Sequence, residues 1–171
     1  MQSIEIEECL REVGAELAVR GLVGEIVVVG GAYMTLVLRS REATADVDAY
    51  LAPEHATAIR EAARVVAARH DLPDDWLNDA VKGFFASSPE VVLWAEYPGL
   101  RVQTVTAGYM LAMKAMAGRP QDIADLRVLI QHLGIGSSAA AMEIVERHVP
   151  RRLLTVRTQL LIDSLFEEVD P

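Results

Sequence analysis

The sequence predicts an α+β fold: a small mixed sheet flanked by helices and followed by a C-terminal helical layer. Three observations carry that expectation. Glu25-Ile26-Val27-Val28-Val29 is a β-branched run without alternation, the pattern of a strand buried on both faces. Ala45-Asp46-Val47-Asp48-Ala49-Tyr50-Leu51 alternates polar and apolar residues with a period of two. From Thr106 onward the apolar residues recur at helical spacing.

In chain order, Ile4 to Val19 reads as a leading helix, because Ile4, Cys9, Leu10, Val13 and Leu17 can share one face and Gly21 and Gly24 then stop it. The Glu25 to Val29 strand should be central and ends at Gly30-Gly31. A short helix is expected over Ala32 to Leu38, and the second strand, Ala45 to Leu51, carries the aspartates. Pro53 can start a helix from Glu54 to His70, which Pro73 ends. A further helix is expected from Asp74 to Phe85. Val91 to Ala95 and Leu100 to Val105 then form a hairpin around Pro98-Gly99. Helices follow at Ala107 to Ala117, Gln121 to Leu133, Ser138 to His148 and Arg151 to Val169, punctuated by Gly118, Pro120, Gly134, Gly136 and Pro150. The expected division is an α/β core over residues 1–106 and a helical subdomain over 107–171, packed on the core.

Composition sets limits on function. Of 171 residues, 51% are hydrophobic and 24% charged, too apolar for a disordered chain. The start is acidic where a secretory leader carries positive charge, no apolar stretch reaches the ~20 residues of a membrane span, and Cys9 is the sole cysteine. A cytoplasmic protein with no membrane partner is expected, with neither an intramolecular disulfide nor a cysteine-based zinc site. Lys+Arg 16 against Asp+Glu 25 gives a formal net charge of −9, which argues against wholesale coating of nucleic acid.

Three features can carry chemistry. Gly30-Gly31 lies where a buried strand meets a helix, so backbone can approach a phosphate closely there; a plain tight turn gives the same pattern. Asp46-Val47-Asp48 places two carboxylates on one face of a strand, a donor set suited to Mg²⁺, which takes one or two protein carboxylates and completes its shell with water and phosphate. An acidic, solvated edge strand is the alternative. The third feature runs from Lys114 through Arg119 and Asp122 to Asp125. Lys114 sits among Met110, Leu111, Met113, Met116 and Ala117, either with a task or as a snorkelling surface residue. Asp122 and Asp125 can equally cap their helix.

Together, Gly30-Gly31, Asp46-x-Asp48 and the Lys114 to Asp125 element resemble the nucleotidyltransferase superfamily that includes DNA polymerase beta, and more specifically its minimal bacterial members of the AbiEii/AbiGii toxin type, over roughly residues 26–129. The resemblance implies a nucleotidyltransferase-like sheet and transfer of a nucleotidyl group from an NTP substrate to a hydroxyl of RNA, tRNA included, or of protein. It assigns Gly30, Gly31, Lys114 and Arg119 to the nucleotide, Asp46 and Asp48 to Mg²⁺ or Mn²⁺, and Asp122 to catalysis beside Asp46, Asp48 and Lys114. Asp125, Asn78 and Lys82 are further candidates. It also implies the toxin of a toxin–antitoxin or phage-defence pair, with a cognate antitoxin as partner.

The chain departs from the pattern in two places: Ala32 and Tyr33 stand where many members carry Ser or Thr beside the glycines, and Gln103 and Thr104 stand where polymerase-like members carry a third carboxylate. These departures support an alternative, a catalytically idle fold serving as a nucleotide-binding or regulatory module. For an RNA acceptor, Arg39, Arg41, Arg60, Arg64 and Arg69, or Arg147, Arg151, Arg152 and Arg157, can supply local positive charge, unless they are paired with neighbouring acids as solvated helix faces.

Overall fold

The computed structural model describes residues 1–79 and 89–167. It is an α+β protein whose elements run α1 (Ser3–Val19), β1 (Gly24–Val28), α2 (Gly30–Leu36), β2 (Val47–Leu51), α3 (Ala56–His70), β3 (Leu77–Asn78), β4 (Val91–Tyr97), β5 (Leu100–Val105), α4 (Ala107–Ala117), α5 (Ile123–His132), α6 (Ser138–His148) and α7 (Val156–Ser164). Short 3-10 turns precede α5 and α7, at Pro120–Asp122 and Arg151–Leu153. The chain divides into two compact units, the first built on α1 to β5 and the second on the helices from α4 onward.

In the first unit the strand order is β3-β2-β1-β5-β4. β1 is central, antiparallel to β2 and parallel to β5, and its unbroken apolar run fits that position. β3 adds to β2 in parallel, and β4 closes the far edge as a hairpin with β5. Helices α1 and α3 pack against each other, and each touches the sheet. Their buried Leu10, Val13, Leu17, Ile59 and Val66 meet Ile26, Val28, Leu51, Leu100 and Val102 in one core. Each such Leu, Ile or Val removed from water contributes about 1.5–3 kcal/mol. On β2, Val47, Ala49 and Leu51 enter this core, while Asp48 and Tyr50, on the opposite face, stay half-buried. The same alternation that packs β2 therefore displays its polar residues.

Three expectations need correcting. Asp74 to Asn78 is not helical: Trp76 N donates to Pro73 O at 3.0 Å in a turn, and the buried indole Nε1 donates to Ala63 O of α3 at 3.0 Å. That anchor delivers Leu77–Asn78 to the edge of β2, where Val47↔Leu77 and Asp48↔Asn78 are partners. A long-range contact thus outweighs local helical periodicity; the rest of the expected Asp74 to Phe85 helix lies largely outside the described residues. Next, α2 begins on the glycine pair itself, with Val29 as its N-cap, rather than at Ala32. Last, the expected Arg151 to Val169 helix is broken at Leu154-Thr155. The Thr155 hydroxyl accepts from Thr158 N at 3.3 Å and starts α7 afresh.

In the second unit α4 contacts α5, α6 and α7. Caps set its helix starts: the Thr106 hydroxyl accepts from Tyr109 N at 3.3 Å and Ser137 Oγ from Ala140 N at 3.2 Å. Tyr109 of α4 meets His148 of α6 edge-on, with ring centroids 5.3 Å apart. Burial, the first cause, and the neighbouring Arg147 hold the His148 imidazole below its ordinary value, against an opposing pull from Glu90.

Candidate functional site

The first unit gathers polar residues where β1 hands the chain to α2. Val29 N donates to Asp48 O at 2.9 Å, tying the β1 exit to β2. Gly30 follows with φ +64°, a conformation that a side-chain-bearing residue rarely adopts. The space that its side chain would take is occupied: Asp48 Oδ2 lies 2.6 Å from the position of a Cβ at residue 30. Asp48 thus seats a carboxylate against the backbone of the glycine pair.

Gly31 is crowded in a corresponding way. A Cβ there would meet Thr44 Oγ1, with Arg41 Nη1 3.7 Å away. Thr44 is held in turn, its hydroxyl donating to Asp46 O at 3.2 Å and its N–H to Met1 O at 2.9 Å. Although residues 32 and 33 are Ala and Tyr rather than Ser or Thr, an aliphatic hydroxyl stands at the glycine pair by way of Thr44. Thr44 was not among the sequence candidates, and Arg41 was named only for an RNA surface. The signal for Thr44 is the period-two spacing Thr44, Asp46, Asp48, one step further back than the strand pattern was taken.

Asp46 lies just before β2, half-buried. Its Oδ2 accepts from Asn78 Nδ2 at 3.1 Å, although the register pairs Asn78 with Asp48. Asn78 therefore reaches across the β2–β3 edge to the other aspartate. Gly30, Gly31, Thr44, Asp46, Asp48 and Asn78 form one constellation. Among the described residues no group of three or more His, Cys, Asp or Glu is placed to hold a metal ion. Two hard oxygen donors remain compatible with Mg²⁺ or Mn²⁺, which need only one or two carboxylates when phosphate and water complete the shell. The Asp48 oxygen pressed against bare backbone, with the Asp46 oxygen held by a neutral amide, fits that requirement.

The remaining candidates belong to the second unit. Lys114 Nζ lies 2.6 Å from Asp122 Oδ1 and 2.6 Å from Asp125 Oδ2, and all three residues are buried. The ammonium is neither snorkelling nor solitary: α4 supplies it and the α5 entry supplies both partners. Arg119 is exposed, at the start of the Pro120–Asp122 turn. Lys82 lies outside the described residues. Trp76 and Leu77 are core, at 1% and 4% exposure.

Several of the arginines considered for an RNA surface are paired with acids. Arg60 meets Asp79, Arg69 meets Glu12 and Glu16, and Arg151 meets Glu146 at 3.5 Å. Arg157 Nη2 donates to Gly118 O at 2.9 Å. Among the described residues no helix is long and apolar enough to cross a membrane.

Comparisons with protein families, with curated proteins and with solved structures found no match.

Proposed function

We propose that the protein is a divalent-cation-dependent nucleotidyltransferase that moves a nucleotidyl group from an NTP to a hydroxyl of RNA or protein. The observation that carries the reading is the Asp48 carboxylate seated over Gly30, 2.6 Å from where a side chain would begin. A triphosphate lying along the glycine pair would meet that carboxylate at close range. Two like charges so placed repel, and a divalent cation between them offsets the repulsion. Asp46 and Asp48 would hold the cation, which when bound supplies charge neutralisation at the transferring phosphorus.

The chain's own residues do the rest. Gly30 lets the Asp48 carboxylate, and Gly31 the Thr44 hydroxyl, close on the backbone along which the phosphates would lie. Asn78 fixes one oxygen of Asp46. Lys114 is already bound to two carboxylates, so a phosphate contact would require exchanging one of them. In this reading Lys114, Asp122 and Asp125 serve the second unit as an internal ion-pair cluster. The toxin role within a toxin–antitoxin or phage-defence pair is carried by the resemblance.

The test is incubation of the purified chain with each labelled NTP, Mg²⁺ or Mn²⁺ and total cellular RNA, beside Asp48→Asn. Label transferred to RNA or protein by the wild type and lost in the folded variant supports the reading. Nucleotide binding without transfer under every condition replaces it with the idle, nucleotide-binding fold.

A further inference from the structure

We infer that Asn78 is the positioning residue of the cation site: it fixes Asp46 with one carboxylate oxygen engaged and the other left to a divalent cation. The inference rests on the proposed cation-dependent function and adds a residue outside the aspartate pair. Asn78 Nδ2 donates to Asp46 Oδ2 at 3.1 Å, a well-formed neutral–ionic hydrogen bond. The donor sits on β3, a two-residue strand whose partners on β2 are Val47 and Asp48. Its position is set from below: the Trp76 indole donates to Ala63 O, and Trp76 O accepts from Val47 N at 2.7 Å. The amide is therefore delivered by core packing and strand pairing.

Asp46 needs such a guide. It precedes β2, so the strand ladder that orients Asp48 does not orient it. A carboxylate free to rotate must be ordered when it binds a cation, whereas one already hydrogen-bonded is ordered in advance. The chemistry of the guide matters as well. A lysine or arginine at 78 would neutralise Asp46 and compete with the cation, and an aspartate would add a third negative charge. An asparagine orients Asp46 and leaves its charge available. With two protein carboxylates, the cation is held weakly alone and firmly in company with triphosphate oxygens. The substrate form this implies is the cation–NTP complex.

The experiment is a Mn²⁺ titration followed by electron paramagnetic resonance of free Mn²⁺, on the full chain, with wild type, Asn78→Ala and Asn78→Asp, each with and without a non-hydrolysable NTP analogue. Circular dichroism melts report folding. Wild type is expected to bind Mn²⁺ more tightly with the analogue present. Folded Asn78→Ala should bind about tenfold more weakly in both conditions, the usual loss when a ligand's hydrogen-bond partner is removed. Asn78→Asp should bind nucleotide-free Mn²⁺ more tightly than wild type, since a third carboxylate then stands beside Asp46. Affinities of both variants within twofold of wild type overturn the inference while leaving the cation site intact. If Asn78→Ala does not fold, Asn78→Asp decides alone, an unchanged affinity overturning the inference. Absence of Mn²⁺ binding by wild type, with and without the analogue, overturns the cation site itself and the role of Asn78 with it.

Discussion

Asp48 occupies the side-chain space of Gly30, its Oδ2 2.6 Å from the position a Cβ would take, while Gly30 holds φ +64°. Gly30→Ala is therefore expected to suffer twice. The left-handed backbone costs about 1–2 kcal/mol once a Cβ is present, and the carboxylate must move. Gly21, at φ +69° with nothing within 4 Å of a Cβ, separates the two effects. Gly21→Ala should show the backbone cost alone in urea unfolding, and Gly30→Ala a larger loss together with lost Mn²⁺ binding. Equal losses in the two variants, with Mn²⁺ binding retained, would show that Asp48 swings aside freely.

Lys114 is 5% exposed and holds two buried carboxylates. Removing it leaves Asp122 and Asp125 without their shared cation. Lys114→Met should lower unfolding free energy by about 3–5 kcal/mol, the usual cost of breaking a buried pair from one side. Lys114→Met combined with Asp122→Asn and Asp125→Asn should recover much of it, because no uncompensated charge remains. Both are read from urea transitions. A single variant of unchanged stability that loses nucleotidyl transfer would instead place Lys114 on a phosphate.

The elements that were legible in the sequence are those whose signal is local. β5, α4 and α6 match their expected bounds because a strand pattern or a turn-bounded helical period is complete within the segment. β3 was not legible: Leu77 and Asn78 become a strand only because Trp76 is anchored to Ala63, thirteen residues away on α3. The site divides in the same manner. Asp48 follows from strand alternation and Gly30 from the strand–helix junction, whereas the seating of one against the other depends on the β1–β2 register, which pairs Val28 with Ala49. Lys114 was visible as a misplaced charge. Its partners depend on how Gly118 to Pro120 turns the chain, and spacing does not specify that.

Cys9 lies in α1 at 2% exposure. Burial, then the nearby Glu12, Glu8 and Glu5, push its thiol up to about 11. The thiolate is the reactive species, so both access and ionisation are suppressed. In the native chain Cys9 should remain unlabelled by Ellman's reagent at pH 8 for as long as the fold persists, and react fully in denaturant. The labelling rate should rise with urea in parallel with the unfolded fraction. Prompt labelling of native protein would show that α1 opens locally.

Glu12 links α1 to α3. Its Oε1 lies 2.7 Å from His70 Nε2 and its Oε2 accepts from Arg69 Nη1 at 3.3 Å. The His70 hydrogen bond, the largest cause, and Arg69 hold the Glu12 carboxyl below its ordinary value of 4.5, against a smaller upward push from burial. Because the folded value is lower than the unfolded one, the unfolded chain takes up the proton first as pH falls. The stabilisation is present in full above the unfolded value and is lost as pH drops through the depressed folded value. Glu12→Gln should therefore show a stability deficit above 4.5 that closes on acidification below that value. The deficit should be small, since the Glu12 and His70 side chains are 30% and 31% exposed and water screens them. His70→Ala removes the first cause, so the acid limb belonging to Glu12 should begin at higher pH than in wild type. Urea unfolding at steps between pH 7 and pH 3 measures both effects. A deficit that goes on growing as pH falls from 4.5 to 3 would mean that Glu12 is held protonated in the fold, the opposite of what its partners dictate.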